Sequence, residues 1–252
     1  MNSPPELSIV IPAYNEASRL PQTFERIVAY LQARARAGRP LEAEILVVDD
    51  GSTDATAAVV RQWQSRLPEL RLLQNPGNRG KGYSVRHGML EARGRVALFT
   101  DADLSAPIEE ADRLLEVLER EQADIAIGSR GLDRRMILVH QSRLRELAGR
   151  LFNLLVRTLT GVPFRDTQCG FKAFRMDRAR VLFERQRVEG FGFDPELLFL
   201  AQRFGLRTIE VPVRWAHAPG SKVHLLRDSL RMLAELVRVR VNWWRGQYRR
   251  PG

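Results

Sequence analysis

Short apolar runs alternate with segments whose apolar residues recur every three or four positions along the first 130 residues. The short runs predict five buried strands, at residues 7–11, 45–48, 70–73, 96–100 and 125–127. The periodic segments predict helices at residues 20–36, 82–92 and 108–120, and one more, capped by Thr53 or Asp54, that extends to residue 67. Strands separated by helices predict an α/β fold, a mostly parallel sheet with helices on both faces.

The second half carries two long helical patterns that are rich in arginine. They cover residues 137–159 and 223–244, and the second ends in Trp243 and Trp244. Their apolar stripes are Leu144, Leu147, Leu151, Leu154 and Leu155 in the first, and Leu226, Leu230, Leu233, Val237 and Val241 in the second. Amphipathic helices usually pack on a core, but the tryptophan pair favours a membrane interface.

Composition narrows the class of protein. A hydrophobic content of 44% supports a packed core. The single cysteine, Cys169, excludes a disulfide within the chain and is expected to be a buried residue without chemistry. The net charge of +10 attracts phosphorylated ligands, nucleic acid or acidic lipids. Nucleic acid is disfavoured, because the aromatic residues lie mostly in apolar patterns. The sequence contains no run of about 18 apolar residues, so it predicts no transmembrane helix.

Polar clusters follow four of the predicted strands. They are PAYNE at residues 12–16, DDGSTD at 49–54, TDADLS at 100–105 and GSR at 128–130. The carboxyl ends of parallel strands lie at one edge of a sheet, where ligands of α/β proteins bind. We therefore expect the four clusters to form one site.

Asp101 and Asp103 are the candidate metal ligands. Two carboxylates this close repel each other unless a cation lies between them. Mg²⁺ and Mn²⁺ prefer such oxygen ligands and share their coordination with substrate phosphates. A turn or helix cap would also explain an isolated Asp-X-Asp sequence, but the preceding strand and the three other clusters favour a metal site.

Asp49 and Asp50 form a second acidic pair. Asp50 could accept a hydrogen bond from a base such as uracil, with Tyr14 stacked on the base. The alternative role is helix capping, which Ser52, Thr53 or Asp54 can already supply. NRGKG at residues 78–82 lacks the P-loop pattern, so its glycines predict a tight turn into a helix. Lys81 in this segment is either a ligand contact or a solvated charge.

The chain contains five motifs, in a fixed order, that resemble those of family 2 glycosyltransferases of the GT-A fold: LSIVIPAYNE, ILVVDDGSTD, NRGKG, LFTDADLS and IGSR. DTQCGFKAF, GFGFDPELLFLA and GSK resemble the branch that glycosylates polyprenyl phosphates. The resemblance implies a Rossmann-like catalytic domain over residues 1–220. Its nucleotide-sugar half would cover about 1–130 and its acceptor half 131–220, and an amphipathic, basic helix would follow at 221–252.

The resemblance also assigns roles to the matching residues. The nucleotide sugar would be bound by Pro12, Tyr14, Glu16, Asp50, Lys81, Asp101, Ala102 and Asp103. The divalent cation would be bound by Asp101, Asp103 and Ser105. The acceptor phosphate would be bound by Arg130, by Lys222 and by either Arg143 or Arg145. The catalytic residues would be Asp101, Asp103, Arg130 and Asp194, although Asp194 could instead cap a helix predicted at residues 195–204.

The implied reaction is the inverting transfer of a hexose, with glucose from UDP-glucose as the first choice, to a dolichyl-type polyprenyl phosphate. The cofactor would be Mg²⁺ or Mn²⁺. The acceptor phosphate is already anionic, so it needs cations to guide it rather than a general base. Two alternatives stay open: mannose transfer from GDP-mannose, and a non-lipid acceptor. We expect a peripheral, monotopic protein on the cytoplasmic face of a membrane.

Overall fold

A computed structural model describes residues 4–139, 143–217 and 225–249. Its strands are β1 (Leu7–Ala13), β2 (Ala43–Asp49), β3 (Leu70–Gln74), β4 (Val96–Thr100), β5 (Ile125–Ser129), β6 (Ile137–Val139), β7 (Phe171–Arg175), β8 (Thr208–Pro212) and β9 (Trp215–Ala216). Its α-helices are α1 (Leu20–Arg36), α2 (Thr56–Gln64), α3 (Lys81–Glu91), α4 (Ala111–Arg120), α5 (Arg143–Thr160), α6 (Met176–Arg185), α7 (Phe193–Arg203) and α8 (Leu225–Trp244).

Seven of these strands form one sheet in the order β3-β2-β1-β4-β7-β5-β8. Only β7 is antiparallel to its neighbours in this sheet, β4 and β5. In β1, Ile9 and Ile11 face the core cluster shared with α1, α2 and α4, whereas Val10 faces the cluster shared with α3, α6 and α7. Both faces of the sheet are therefore covered by helices, and the predicted α/β fold is confirmed.

Two of the helices predicted in the first 130 residues differ from the structure by more than one residue at an end. The helix predicted to reach residue 67 ends at Gln64. Pro68 disfavours helical backbone at Leu67, the predicted end. The N-cap of this helix is Ala55, so the predicted cap is wrong; the Asp54 carboxylate instead accepts a hydrogen bond from the Thr56 N–H at 2.9 Å. The segment at 108–120 begins with a 3₁₀ turn, Ile108–Glu110, before α4.

The helix predicted at residues 137–159 is wrong in its first part. Residues 137–139 form β6, which pairs with β9, and α5 begins only at Arg143. The pairing partner lies more than 70 residues away, so local periodicity could not indicate it. The second helix pattern is confirmed as α8, and residues 223 and 224 lie outside the described residues.

Helices α5 and α8 pack against each other through Phe152, Val156, Met232 and Leu236. Part of each predicted apolar stripe is exposed: Leu151, Leu154 and Leu155 on α5, and Leu230 and Val237 on α8. The helix-helix contact thus uses neighbouring positions and leaves leucine and valine on the outside. Among the helices of the described residues, none has the length and hydrophobicity needed to cross a bilayer.

Candidate active site

The carboxyl ends of β1, β2 and β4 border a cavity of about 680 Å³. All eight residues predicted to bind a nucleotide sugar line this cavity: Pro12, Tyr14, Glu16, Asp50, Lys81, Asp101, Ala102 and Asp103. They come from three strand ends and from the segment that leads into α3. The parallel strand arrangement therefore brings together PAYNE, DDGSTD and TDADLS with NRGKG, although Pro12 and Asp103 are 91 positions apart. The GSR cluster at residues 128–130, predicted to join the same site, is outside the cavity lining.

Lys81 and Asp101 form an ion pair in this cavity, with Nζ and Oδ1 2.5 Å apart. Burial opposes the charge of the ammonium group, but the carboxylates of Asp101, Asp194 and Asp103 outweigh it and raise the pKa of Lys81. Gly170 lies directly against Asp101, and a Cβ atom at Gly170 would lie 2.7 Å from the carboxylate carbon. The Asp101 side chain is thus held between a cation and a glycine.

Asp103 closes a tight turn after β4. Its Oδ1 accepts a hydrogen bond from the Ser105 N–H at 2.9 Å, and Leu104 between them has a left-handed φ of 45°. Asp103 therefore both shapes the turn and lines the cavity. Ser105 is outside the cavity lining, so the structure does not bring this predicted metal ligand to the site.

A metal at this edge would depend on substrate oxygens. The described part of the chain contains no cluster of three or more metal-binding side chains. Two neighbouring carboxylates fit Mg²⁺ or Mn²⁺ when phosphates complete the coordination. The ammonium of Lys81 beside Asp101 shows that a positive charge is accommodated at this position.

Asp50 fixes the loop that carries Lys81. Its Oδ1 accepts hydrogen bonds from Asn75 Nδ2 at 2.7 Å and from the Arg79 N–H at 2.9 Å, and its Oδ2 accepts one from the Gly80 N–H at 2.8 Å. Gly80 has a φ of 106°, which favours glycine and lets α3 start at Lys81. Asp50 therefore positions the Lys81 loop as well as lining the cavity.

Asp194 lies behind the cavity lining, in α7. The N-cap of α7 is Gly192, so the capping alternative for Asp194 is wrong. Its carboxylate forms a buried ion pair with Lys172, whose Nζ lies 2.5 Å from Oδ1. Burial raises the pKa of Asp194, against the opposing effect of Lys172 and Lys81. The antiparallel strand β7 supplies Lys172, which also donates a hydrogen bond to the Cys169 carbonyl at 2.7 Å.

Arg130, at the end of β5, is outside the cavity lining. Its guanidinium donates two hydrogen bonds to Asp166, at 2.7 and 2.9 Å, and lies over the Trp215 ring. Burial opposes ionisation of Asp166, but Arg130 lowers the pKa of this carboxyl to about 2. Cys169 nearby is buried, and burial raises the pKa of its thiol to about 12, as expected for an unreactive cysteine.

The other predicted acceptor residues fall on parts of the chain that the structure does not describe. Arg143 and Arg145 belong to the first turns of α5, but their side chains lie outside the described residues. Lys222 lies outside the described residues altogether. Their predicted role stays a prediction.

The cavity also contains residues that the motifs did not indicate: Arg19, Arg79, Glu189, Phe191, Arg231, Met232 and Glu235. Arg79 and Phe191 lie within recognised motifs, NRGKG and GFGFDPE, so closer attention to those motifs could have found them. The last three belong to α8, and nothing in their local pattern indicates a site. Helix α8 is thus a wall of the cavity.

Comparison with known proteins identifies the class of enzyme to which this fold and cavity belong. Residues 8–183 match the profile of Glycosyl transferase family 2, and the chain belongs to this family. It is 39% identical over 251 residues to a dolichyl-phosphate beta-glucosyltransferase of Drosophila melanogaster, covering 97% of this chain and 77% of the relative. It is 34% identical over 251 residues to the enzyme of that name from Homo sapiens, covering 97% and 78%.

Solved structures share the fold. Mannosyl-3-phosphoglycerate synthase from Rubrobacter xylanophilus superposes with a TM-score of 0.66 at 24% identity, over 98% of this chain and 76% of that chain. Glucosyl-3-phosphoglycerate synthase from Mycobacterium tuberculosis superposes with a TM-score of 0.63 at 21% identity, over 93% of this chain and 79% of that chain. That structure is a complex with Mn²⁺, UDP-glucose and phosphoglyceric acid. The expected glycosyltransferase fold is confirmed.

Proposed function

We propose that this protein transfers glucose from UDP-glucose to a dolichyl-type polyprenyl phosphate, giving a β-linked product. The observation that carries the proposal is the cavity in which the residues of the donor motifs surround the Lys81–Asp101 pair. The relatives that match nearly the whole chain are named for transfer of glucose to dolichyl phosphate. The names of these relatives support the sugar and the acceptor, and the cavity supports the proposed place of reaction.

Asp101 and Asp103 would hold the divalent cation together with the donor diphosphate. When bound, Mg²⁺ or Mn²⁺ neutralises charge that develops on the leaving nucleoside diphosphate. Lys81 supplies a second positive charge on the same side, because its loop is fixed by Asp50. The base and ribose would lie along Pro12, Tyr14 and Glu16, at the end of β1.

The acceptor needs no general base. An oxygen of the lipid phosphate attacks the anomeric carbon of glucose, the new carbon–oxygen bond forms, and the bond to UDP breaks with its electron pair on the leaving phosphate oxygen. One displacement inverts an α-linked donor into a β-linked product. Arg130, Arg143, Arg145 and Lys222 stay the predicted phosphate contacts, and Asp194 the predicted acidic residue near the sugar.

Contact with a membrane is part of the proposal, since polyprenyl phosphates reside in bilayers. The exposed leucines of α5 and the exposed Leu230, Val237 and Trp244 of α8 favour a peripheral, monotopic attachment. The Trp244 side chain is 73% exposed and has Arg240 over its ring, a combination suited to the headgroup region. The cytoplasmic face is the expected side.

A transfer assay tests the proposed function. Purified protein with Mg²⁺ or Mn²⁺ is mixed with polyprenyl phosphate in detergent and with labelled UDP-glucose, UDP-galactose, UDP-N-acetylglucosamine or GDP-mannose. We expect label to enter the organic phase from UDP-glucose only. Asp103→Ala should lose this transfer, and Asp133→Ala, at a half-buried aspartate outside the cavity lining, should keep it.

Two results would contradict the proposal. Transfer from GDP-mannose alone would make the protein a mannosyltransferase. A folded wild-type protein that binds UDP-glucose but labels no lipid would exclude the lipid acceptor.

A further inference from the structure

Four cationic residues line the cavity, and they differ in their pairing. Three form an ion pair with a carboxylate. The nitrogen–oxygen distances are 2.9 Å for Arg19–Glu16, 2.7 Å for Arg79–Glu189 and 2.5 Å for Lys81–Asp101. Arg231 lines the cavity without such an ion pair among the residues that the structure describes. Its guanidinium interacts with the Glu235 carboxylate only at longer range than a salt bridge, so no described carboxylate holds it in an ion pair.

The position of Arg231 is fixed by its neighbour Glu235, one helical turn further along α8. Oε2 of Glu235 accepts a hydrogen bond from the Gly192 N–H at 2.9 Å. Gly190 and Gly192 allow this approach, because a Cβ atom on either would collide with the Glu235 carboxylate. The carboxylate thus fastens α8 to the loop before α7, and this orientation places Arg231 at the cavity.

Apolar side chains adjoin Arg231 on this wall. Met232 and Phe191 line the same cavity, and Phe191 is 37% exposed. Leu230 and Val237 of α8 face outward from the protein. A ligand with an anionic head and an apolar tail matches this arrangement, whereas a free nucleotide would leave the apolar groups unused.

We infer that Arg231 binds the phosphate of the acceptor, and that Phe191 and Met232 contact the first isoprenoid units. This inference rests on the proposed function. The carboxylates at the DAD turn repel a second phosphate, so the acceptor needs a cation that is not already neutralised. Arginine suits this role because its planar guanidinium binds phosphate through two parallel hydrogen bonds.

The test compares Arg231→Gln with Arg231→Lys and with Arg238→Gln, an exposed arginine of α8 outside the cavity lining. The readouts are the KM for polyprenyl phosphate, the Kd for UDP-glucose and the thermal unfolding of each variant. We expect Arg231→Gln to raise the KM tenfold or more, with the UDP-glucose Kd changed less than twofold. Arg231→Lys should recover part of the loss, and Arg238→Gln should match the wild type.

A second arm separates the acceptor phosphate from acidic membrane lipid. The same KM is measured with a short-chain, water-soluble prenyl phosphate and no membrane or detergent. An effect that persists supports acceptor binding. An effect that vanishes there, together with loss of binding to phosphatidylglycerol vesicles, would assign Arg231 to lipid headgroups and overturn the inference.

Failure of the inference is distinguishable from failure of the proposed function. An active wild type with an unchanged KM in Arg231→Gln would overturn the Arg231 assignment alone. Equal loss of UDP-glucose binding in that variant would make Arg231 a donor contact and overturn it as well. A wild type that labels no lipid would overturn the proposed function and this inference together.

Discussion

The ammonium group of Lys81 lies 2.5 Å from Oδ1 of Asp101, across the cavity edge from the end of β4 to the start of α3. Burial opposes the charge of Lys81, but the neighbouring carboxylates raise the pKa of its ammonium group. Any divalent cation that binds Asp101 must compete with this ammonium group. The ion pair should therefore affect how tightly the cavity binds a divalent cation and the donor diphosphate.

Replacement of Lys81 by alanine should change metal binding and turnover in opposite directions. Mn²⁺ should bind the nucleotide-free Lys81→Ala variant severalfold more tightly, because its competitor is gone. Glucosyl transfer should fall by about 100-fold, the usual cost of removing one group that stabilises developing charge. Calorimetric titration with Mn²⁺ and the transfer assay measure the two effects. Arg120→Ala, at an exposed ion pair with Glu116, is the control, and an unchanged Mn²⁺ affinity would contradict competition.

Gly170→Ala should displace the Asp101 carboxylate, because the new methyl group would overlap it. A displacement of about 1 Å at a reacting group can cost about 100-fold in rate. We expect a loss of at least tenfold in transfer by a folded protein with a weaker response to Mn²⁺. Gly149→Ala is the matched control, since nothing lies within 4 Å of a Cβ atom there. Wild-type activity in Gly170→Ala would show that Asp101 tolerates the shift.

Glu196 should make stability depend on pH. Burial raises the pKa of this carboxyl from 4.5 to about 7, although Tyr248 and the Val188 and Arg187 N–H groups donate hydrogen bonds to it. Between pH 4.5 and about 7, Glu196 therefore keeps its proton in the folded protein and releases it in the unfolded chain. The resulting stabilisation is complete below pH 4.5 and is lost as the pH rises to about 7, by about 3 kcal/mol at most.

Urea unfolding between pH 5 and pH 8 checks this expectation. The free energy of unfolding of the wild type should fall with rising pH more steeply than that of Glu196→Gln, which cannot titrate. Parallel curves for the two proteins would rule out Glu196 as the source. Tyr248→Phe should destabilise the protein by about 1–2 kcal/mol at pH 8, because the buried carboxylate loses a donor.

Asp166→Asn should lower the free energy of unfolding at neutral pH by about 2 kcal/mol. The pKa of Asp166 is lowered to about 2, so its charge stabilises the fold above pH 3.8 and this contribution disappears as the pH falls towards 2. The difference between variant and wild type should shrink over that range in urea unfolding. Asp133→Asn, at a solvent-accessible ion pair with Arg135, is the control and should leave stability almost unchanged. A difference that does not vary with pH would contradict the ion-pair explanation.

The strands that the sequence predicts well are those with continuous apolar runs. Val96–Thr100 is buried at every position and was predicted with its observed bounds, because burial on both faces leaves little ambiguity. The gathering of Asp50, Asp101 and their motifs at one edge also followed from parallel strand direction. Strand β7 was not predicted, since five residues that pair antiparallel between β4 and β5 carry no local sign of their partners.

Local pattern determined β1 to β5, the long helices and the donor motifs of this protein, because periodic burial is visible in short stretches of sequence. Tertiary structure decided which side chains those residues contact. Lys172 and Asp194 are 22 positions apart in sequence and form one buried ion pair. Arg231 reaches the cavity only because α8 is fastened to Gly192 by Glu235. Such contacts depend on strand order and on how helices pack against the sheet, and neither leaves a signal in neighbouring residues.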